Sequence, residues 1–306
     1  MWLVLVLSTA HADVPPPIVN GELTRLYPQA VLLRHADAGW NSVFVCTGTL
    51  VAPRWVLTAA HCTVDAYGYG LTEMHVYVGH EWTFGADEIV ADDWFPHPDY
   101  YVSPNGLQID HDLGFVHLSE PIELDPIALA TTAPEVGEEL RWVGWGASGD
   151  HAGDSGYYKR MADMPVVGLE DEFLLAYDAG GAATCGGDSG GPVFRLGADG
   201  VPTLVAAHSF GRDDDGTLCA GSTSGDTRVD LYLDWIAETL GEDTGEPDDT
   251  DAVDTDAEDT DAEDTGPDED EAAGCACDSA TSPGGSLLLA LATIAPLLRR
   301  RIRRRR

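Results

Sequence analysis

Three separate segments of the 306-residue chain contain the side chains that nucleophilic attack on a carbonyl group would need. A serine hydroxyl is a poor nucleophile at neutral pH, so it requires a base within hydrogen-bond reach, and the base requires an orienting carboxylate. Ser189 lies in the run Gly-Asp-Ser-Gly-Gly-Pro, whose glycines allow a sharp turn and leave N–H groups free to bind an oxyanion. His61 follows the apolar segment 55–59, and Asp112 directly precedes the apolar segment 113–116. These residue types predict a nucleophile, a base and an orienting carboxylate.

Other residues compete for these roles. Asp110 and Asp112 flank His111, and Asp112 is the preferred carboxylate because it directly precedes the apolar run. His61 could be an ordinary core histidine, although its setting in Thr-Ala-Ala-His-Cys favours the catalytic interpretation. His111 and His117 are interpreted as surface or strand residues, so neither is assigned a role in the reaction.

Residues 18–240 have the sequence pattern of an all-β unit. Short apolar or alternating runs, rich in Val, Thr, Phe and Trp, recur between Gly, Pro and Asp residues. Many short strands without a long helical period indicate a sandwich or barrel, and ~200–250 residues commonly form one such domain. The predicted strands are Ala30–Leu33, Val43–Val51, Trp55–Ala59, His75–Gly79, Gly114–Leu118, Leu140–Val143, Val166–Leu169, Pro192–Phe194 and Thr203–Ser209. One helix is predicted over Val229–Leu240, with Gly241 as its stop.

The reactive segments occur in the order His61, Asp112, Ser189, and in this order they resemble the chymotrypsin/trypsin family of serine proteases. Further matches along the block are Ile18–Gly21, His97–Tyr100, Gly144–Gly146, Thr227–Val229 and Trp235–Ile236, so the resemblance extends over about 220 residues. It implies an all-β fold of two six-stranded antiparallel β-barrels with a C-terminal helix, and a site between the barrels.

The resemblance also implies a role for each reactive residue. His61 is expected to act as general base and then as general acid, Asp112 to hold its tautomer, and Ser189 to attack the scissile carbonyl. The backbone N–H groups of Gly187 and Ser189 are expected to form the oxyanion hole. No cofactor is expected. The implied disulfides join Cys46 to Cys62 and Cys185 to Cys219.

The resemblance further implies activation through a new N-terminus at Ile18. In the family, this ammonium group inserts and pairs with the aspartate before the nucleophile, here Asp188, and the buried ion pair orders the oxyanion loop. Residue 17 is proline where the family has a basic residue. The sequence therefore leaves open which enzyme releases Ile18.

Substrate preference depends on the pocket (S1) that receives the side chain before the scissile bond (P1). Cleavage after Lys or Arg requires a carboxylate six residues before the nucleophile, and this position is Ala183. The resemblance places Thr184 beside it and His208-Ser209-Phe210-Gly211 on the opposite wall. One interpretation is a neutral pocket for apolar side chains. The other is an acidic P1 residue, because a threonine hydroxyl and a histidine N–H can both donate to a carboxylate, as in glutamate-specific relatives.

The two ends of the chain differ in composition from this block. Residues 1–12 combine a short apolar run with Ala-His-Ala and are interpreted as a secretory signal peptide, which leaves 13–17 as a short propeptide. A buried first strand is the alternative. Residues 241–273 are almost entirely Asp, Glu, Thr, Ala, Gly and Pro, which predicts a disordered, solvated linker. Calcium binding by its Asp-Thr-Asp repeats is the alternative there.

Residues 274–306 resemble the C-terminal sorting signals of myxobacterial surface proteins. They combine a Cys-containing motif, an apolar run over 283–298 and a cluster of seven arginines. The resemblance implies export, sorting and processing machinery as a partner, cleavage near Cys275 and lipid attachment at Cys275. A plain membrane anchor is the alternative, as is a disulfide between Cys275 and Cys277, although their spacing is tight for one.

Charge and cysteine content narrow the classes of function. Without Glu242 and the residues after it, the chain still has 35 acidic and 9 basic side chains, a net charge of −26. Neither nucleic acid nor an anionic membrane is therefore an expected partner of the domain itself. Four of the six cysteines lie in the block without a Cys-x-x-Cys pair, which favours disulfides over a metal site.

These observations predict an exported, monomeric peptidase that acts on protein or peptide substrates at the cell surface or in the medium. The rival interpretation is a catalytically inactive homologue that serves as a surface binding module.

Overall fold

The structure is a computed structural model that describes residues 18–41, 43–65, 68–83, 88–106, 108–149, 153, 156–212 and 219–242. The predicted signal peptide, propeptide and sorting segment lie outside the described residues, as does the predicted linker apart from residues 241 and 242. Within the described ranges, no helix is long and apolar enough to cross a membrane.

Short strands dominate the described part of the chain. In chain order they are β1 (Glu22–Leu23), β2 (Ala30–Asp37), β3 (Val43–Ala52), β4 (Trp55–Thr58), β5 (Leu71–Tyr77), β6 (Ile89–Pro96), β7 (Tyr101–Val102), β8 (Ile109–Asp110), β9 (Gly114–Leu118), β10 (Ala128–Leu129), β11 (Glu139–Gly144), β12 (Arg160–Glu170), β13 (Phe173–Ala176), β14 (Pro192–Leu196), β15 (Pro202–Arg212) and β16 (Thr223–Arg228). The helix α1 (Leu233–Glu242) follows β16, and 3₁₀ turns lie at Ala60–Cys62 and Val229–Leu231.

Six strands of the N-terminal half close into an antiparallel barrel in the order β2-β3-β4-β9-β6-β5, with β5 pairing back to β2. Its interior contains buried side chains such as Val31, Leu33, Val56, Met74 and Val116. Successive side chains of a strand point to opposite faces, so every second position of the alternating runs faces this interior. Full burial of one such side chain stabilises the fold by about 1.5–3 kcal/mol.

The second barrel has the order β12-β11-β14-β15-β16-β13, and β13 closes it by pairing with β12. The short strands β1 and β10 pair with β12 and β15 from outside the ring. Buried residues such as Leu140, Trp142, Val166, Val193 and Val205 occupy its interior. The expected fold of two six-stranded barrels with a C-terminal helix is confirmed.

A shared hydrophobic cluster holds the two barrels together. Trp55 and Phe115 contribute from the first barrel, Phe194 and Leu204 from the second, and Ile236 from helix α1. Because strands from both barrels meet in this cluster, the segments after β4, before β9 and before β14 are held at fixed positions. Those segments carry the three predicted reactive residues.

Every one of the nine predicted strands is present; Gly114–Leu118 has the predicted bounds, and the others differ by one to six residues at one or both ends. Three barrel strands were not predicted: β6 contains adjacent aspartates, β13 is short, and β16 is the polar run Thr-Ser-Gly-Asp-Thr-Arg. The helix begins at Leu233 because Val229–Leu231 forms a 3₁₀ turn, and it continues through Gly241 to Glu242. The prediction of Gly241 as its stop was therefore wrong.

Two disulfides have the pairing that the resemblance implied. Cys46 is bonded to Cys62, with a Cα–Cα distance of 6.2 Å, and Cys185 is bonded to Cys219, with a Cα–Cα distance of 5.1 Å. The first ties β3 to the 3₁₀ turn that carries His61. The second ties the segment before Ser189 to the segment before β16.

Candidate active site

His61 and Asp112 are 51 residues apart in sequence and lie side by side in the fold. His61 is in the 3₁₀ turn after β4, and Asp112 precedes β9, which pairs with β4. This pairing brings Nδ1 of His61 to 2.8 Å from Oδ2 of Asp112. The backbone N–H of His61 donates to Oδ1 at 2.9 Å, so the carboxylate orients both the main chain and the ring of the histidine.

Asp112 is fully buried and accepts a further hydrogen bond at Oδ2 from the Ser209 hydroxyl at 2.5 Å. Burial by itself would raise the pKa of Asp112. The nearby His61 and the hydrogen bonds from its ring, from Ser209 and from the His61 backbone outweigh burial and hold that pKa below its ordinary value. Asp112 is therefore an anion over the neutral pH range.

The His61 side chain is 22% exposed. Burial alone would lower the pKa of its imidazole, but the charge of Asp112 and the hydrogen bond to Asp112 raise this pKa above its ordinary value. With its Nδ1–H donated to a carboxylate, the neutral ring presents Nε2 as a proton acceptor. This is the tautomer that a general base for a hydroxyl nucleophile requires.

The rival residues lie elsewhere. Asp110 accepts a hydrogen bond from Nε2 of Gln108 at 2.7 Å on the short strand β8. His111 contacts the hydroxyl of Tyr232 at 2.9 Å through Nδ1. His117 lies on β9, outside the turn that carries the base. The structure thus brings Asp112 to His61 and leaves Asp110 apart from it.

Ser189 lies in a tight loop between β13 and β14 whose glycines adopt backbone angles that favour glycine. Gly187 has φ 102° and Gly190 has φ 75°. A Cβ atom on Gly190 would lie 2.0 Å from the hydroxyl of Thr58, and the Gly190 N–H donates to the His208 carbonyl at 2.7 Å. Within the described part of the chain, the N–H groups of Gly187 and Ser189 donate to no acceptor. Two unengaged amides beside a serine hydroxyl can bind a developing oxyanion.

The loop that carries Ser189 lies against the turn that carries His61. Sγ of Cys62, the residue after His61, is 3.7 Å from the carbonyl oxygen of Ser189. Ser189 is half-buried, and within the described ranges no hydrogen bond joins its hydroxyl to His61. Such hydrogen bonds are often long without substrate and shorten in the reacting complex.

Thr47 on β3 fastens the first barrel to this loop, and the sequence analysis did not identify it. Its N–H donates to the Ser189 carbonyl at 2.8 Å, and its hydroxyl donates to the Gly187 carbonyl at 2.8 Å. The same hydroxyl accepts from the Trp145 N–H at 3.0 Å. A threonine in a strand has no sequence signal for this role, because the contact exists only once the barrels pack together.

Asp188 is buried directly before the nucleophile, with 2% exposure. Its carboxylate oxygens accept backbone hydrogen bonds from Gly146 at 2.7 Å and from Cys185 at 2.8 Å. Burial raises the pKa of Asp188 to about 6, although these hydrogen bonds and the charge of His208 act in the opposite direction. The charge of Arg160 also acts to lower this pKa, so burial outweighs all of the groups that favour the carboxylate.

Ile18, the predicted partner of Asp188, is 1% exposed, and its φ of 31° is one that β-branched residues rarely adopt. The next residue, Val19, exchanges two backbone hydrogen bonds with Ala183, at 2.8 and 3.2 Å. The nitrogen of Ile18 is in a peptide bond with Pro17 in this chain, so the expected ammonium group requires cleavage. In the described ranges no basic side chain lies at ion-pair distance from Asp188.

Four of the predicted pocket residues are buried, namely Ala183, Thr184, His208 and Ser209. Two residues that were not predicted, Ser224 and Asp226, contact this group. The Thr184 hydroxyl donates to Oγ of Ser224 at 3.4 Å, and Nδ1 of His208 lies 2.9 Å from Oδ1 of Asp226. Ser224 and Asp226 are alternate residues of β16, so they share a face. The polar side chains of a buried strand must form hydrogen bonds. A polar run recognised as a strand would therefore have indicated Ser224 and Asp226.

The side chains of Ser209 and Phe210, and the backbone of Gly211, have surroundings that differ from those of Thr184 and His208. The Ser209 hydroxyl donates to Asp112, so its side chain supports the carboxylate behind the base. Phe210 and Gly211 line a cavity of about 510 Å³. Asp110 and Glu170 also line this cavity.

One group of potential metal ligands lies near the base. Cys46, His61 and Cys62 place one ligand atom each within 4.8 Å of one another. The two sulfur atoms are joined in a disulfide. They are therefore not available as the thiolates that a zinc site needs.

Comparisons with known proteins agree with this architecture. Kallikrein 1-related peptidase b22 of Mus musculus is 28% identical over 272 residues, which cover 78% of this chain and 97% of that protein. Glandular kallikrein of Sus scrofa is 30% identical over 226 residues, which cover 66% of this chain and 88% of that protein. The solved structure of neuropsin, a serine protease expressed in the limbic system of mouse brain, has a TM-score of 0.58 and 25% identity, covering 72% of this chain and 99% of that chain. A family model described as Trypsin matches residues 19–236, and the chain therefore belongs to the trypsin family of serine proteases.

Proposed function

We propose that this chain is a serine endopeptidase that hydrolyses peptide bonds through His61, Asp112 and Ser189. The observation that carries the proposal is the fully buried Asp112 carboxylate, which accepts hydrogen bonds from both the ring and the backbone of His61. Removing a carboxylate from water is costly unless it is paired and hydrogen-bonded. Here the pairing leaves the other ring nitrogen available as a base beside the loop that carries Ser189.

In the proposed reaction, Oγ of Ser189 attacks the carbonyl carbon of the scissile bond while its proton passes to Nε2 of His61. Asp112 stabilises the resulting imidazolium, and the N–H groups of Gly187 and Ser189 bind the oxyanion. The C–N bond then breaks, His61 donates its proton to the leaving amine, and the acyl group remains on Ser189. Water repeats the sequence on the acyl-enzyme, which releases the second product and restores the serine hydroxyl.

Activation is proposed to follow cleavage between Pro17 and Ile18. The new ammonium group would pair with Asp188, whose raised pKa of about 6 indicates a carboxylate without sufficient compensating charge. Because Asp188 lies between the two oxyanion residues Gly187 and Ser189, ordering it would also order the oxyanion loop.

The proposed specificity is non-tryptic. Ala183 supplies no carboxylate for a Lys or Arg side chain, so the P1 residue is proposed to be apolar or acidic. Thr184 and His208 support the acidic alternative through their donor groups, and the predominance of small, buried residues around Ala183 supports the apolar one.

The two disulfides are consistent with export. We propose that the enzyme is exported as a monomer and is attached at the cell surface through residues 274–306, with processing and lipid attachment at Cys275. Mass spectrometry of the protein from membrane and medium fractions would identify its C-terminus and any lipid. An unmodified C-terminus at residue 306 in the medium would contradict the attachment.

Labelling with a fluorophosphonate tests the proposed activity, because the reagent requires an activated serine. The parent protein, processed to begin at Ile18, is expected to be labelled at Ser189. Ser189→Ala and His61→Ala should abolish labelling, whereas His117→Ala, a histidine replaced outside the proposed site, should retain it. A folded, processed parent protein that is not labelled and cleaves no peptide would instead indicate an inactive binding module.

A further inference from the structure

The segment that carries Asp112 makes a tight turn. The N–H of Leu113 donates to the carbonyl of His111 at 2.8 Å, which closes a three-residue turn with Asp112 at its centre. His111 has φ 54°, in the left-handed region that residues other than glycine seldom adopt. A residue keeps such a conformation only where its surroundings fix it. The contacts that fix His111 therefore also fix the direction in which the Asp112 side chain leaves the main chain.

Glu172 of the second barrel holds the main chain just before Asp112. It lies in the connection between β12 and β13, and its Oε1 accepts the N–H of His111 at 2.5 Å. Its Oε2 accepts the hydroxyl of Tyr232 and lies 3.3 Å from Nδ1 of His111. Burial and the neighbouring carboxylates, that of Glu172 first, raise the pKa of Tyr232, so its hydroxyl keeps its proton and donates. The Glu172 side chain is 13% exposed, so water competes little for these hydrogen bonds.

Thr227 holds the main chain on the other side of Asp112. Its hydroxyl donates to the carbonyl of Asp112 at 3.2 Å, and the residue is fully buried. The strand register pairs Thr227 with Phe173, the residue after Glu172, and the N–H of Arg228 donates to the Glu172 carbonyl at 2.9 Å. Glu172 and Thr227 are therefore neighbours, at the start of β13 and the end of β16. We call these two side chains the inter-barrel clamp.

The inter-barrel clamp joins the second barrel to a segment of the first. Strand β9, which begins two residues after Asp112, and strand β4, which leads to His61, are neighbours in the first barrel. Among the described residues, Glu172 is the only acceptor of the His111 N–H. Without that acceptor the turn would be free to adopt commoner backbone angles, and the Asp112 carboxylate would move relative to the His61 ring. The distance of 2.8 Å between Oδ2 of Asp112 and Nδ1 of His61 therefore depends on a side chain of the other barrel.

We propose that Glu172 is a positioning residue for the reaction, which acts through the main chain at His111 to hold the Asp112 carboxylate against His61. The inference rests on the proposed endopeptidase function and adds to it a residue that touches neither the substrate nor the base. What Glu172 must supply is an oxygen acceptor for the His111 N–H. Its replacement therefore weakens the orientation of the base, which the transition state requires, and leaves the binding of substrate unchanged.

The test measures kcat and KM of the processed enzyme on its best peptide substrate for a matched pair of variants. Glu172→Met and Glu172→Gln introduce side chains of similar length, and only glutamine keeps an oxygen acceptor. Glu172→Met should lower kcat by about 10- to 100-fold, the effect of losing one hydrogen bond to a charged group. The value of KM should change little, because the contact does not involve the substrate. Glu172→Gln should retain most of the parent kcat.

A second readout follows the pairing of His61 with Asp112 itself. The Nδ1 proton of a histidine gives a far-downfield ¹H NMR signal when it is shared with a carboxylate. Glu172→Met should shift the His61 signal upfield or broaden it, whereas Glu172→Gln should keep it. Glu120→Met makes the same substitution at an exposed carboxylate and should leave both kcat and the signal unchanged. If Glu172→Met does not fold, Thr227→Val decides, because it removes the other hydrogen bond of the inter-barrel clamp at nearly constant shape and should change kcat and the signal in the same direction.

Three results would overturn the inference. These are a folded Glu172→Met with the kcat and the NMR signal of the parent, an equal loss of kcat in Glu172→Met and Glu172→Gln, or a loss confined to KM. Where Thr227→Val decides, parent values of kcat and of the signal would do the same. Failure of the endopeptidase proposal has a different signature, since the parent would then cleave no peptide and fluorophosphonate would not label Ser189. The NMR signal of His61 would still report on the inter-barrel clamp in that case.

Discussion

Replacing Asp112 by asparagine exchanges one carboxylate oxygen for an amide nitrogen. This exchange should move the proton of the neutral His61 ring from Nδ1 to Nε2. The carboxylate accepts three hydrogen bonds, one at Oδ1 from the His61 backbone and two at Oδ2 from the His61 ring and the Ser209 hydroxyl. An amide has one accepting oxygen and one donating nitrogen. The backbone N–H of His61 cannot change from donor to acceptor, whereas its ring can change tautomer. The amide oxygen should therefore take the Oδ1 position.

The amide nitrogen then takes the Oδ2 position and faces the His61 ring and the Ser209 hydroxyl. In the parent protein both of these groups donate to the carboxylate at that position. To accept from the amide, the ring must place its lone pair on Nδ1 and its proton on Nε2, and it can no longer accept the Ser189 proton. Hydrogen bonds to charged groups contribute about 1.5–3 kcal/mol each. Losing the two at Oδ2 therefore corresponds to about 3–6 kcal/mol, or a decrease in kcat of about 10²- to 10⁴-fold at neutral pH.

The assay is kcat on the best peptide substrate, with the concentration of folded enzyme measured by circular dichroism and absorbance. Asp110→Asn is the matched control, because Asp110 is two residues away and bonds Gln108 instead of the base. It should keep the activity of the parent. Folded Asp112→Asn that retains most of the parent kcat would contradict this assignment of the His61 proton, as would an equal loss of activity in the two variants.

Three further outcomes are expected. Activity requires neutral His61, whose pKa is raised by Asp112. Because of this, kcat/KM should be lost as the pH falls through a midpoint above about 6.5. A midpoint well below that value would contradict the pairing of His61 with Asp112. Gly190→Ala would place a Cβ atom 2.0 Å from the Thr58 hydroxyl and should abolish folding or fluorophosphonate labelling. Gly200 has a similar φ of 79°, and a Cβ atom there would have no atom within 4 Å. Thermal unfolding of Gly200→Ala should therefore show a loss of only about 1 kcal/mol in the free energy of unfolding. An equal loss in the two variants would refute the steric argument. One extra residue before Ile18 in the mature enzyme should abolish peptide cleavage, and full activity would exclude the ion pair with Asp188.

The fold could be predicted from the sequence, and the candidate reactive residues could be proposed from it, because their signals are local. The apolar strand before His61, the apolar strand after Asp112 and the glycines around Ser189 are each contained within a few residues of sequence. Their order along the chain then carried the resemblance to one family. The contacts that join these segments in space, the pairing of β4 with β9 and the packing of the two barrels, came from the structure.

The supporting residues were not predictable in the same way. Thr47 and Ser209 are ordinary strand residues in the sequence, and the hydrogen-bond partners of their side chains lie more than 90 positions away. Strand β16 was missed because its composition is polar, although Ser224 and Asp226 are buried. Its burial is tolerated because Oδ1 of Asp226 accepts hydrogen bonds from Trp142 of β11 and from Ser224 of β16 itself and lies 2.9 Å from the His208 ring of β15.

The two histidine–aspartate pairs share a geometry but differ in how well the carboxylate is satisfied. Asp112 uses both oxygens, whereas Asp226 leaves Oδ2 buried without a hydrogen bond among the described residues. An unsatisfied buried polar atom costs about 1–3 kcal/mol, and apolar residues of similar volume can replace a buried ion pair without loss of stability. The stability of the second barrel therefore does not account for His208 and Asp226. The buried Asp226 carboxylate instead fixes the orientation of the His208 ring, because Nδ1 of His208 lies 2.9 Å from Oδ1 of Asp226, as the Asp112 carboxylate fixes the orientation of the His61 ring.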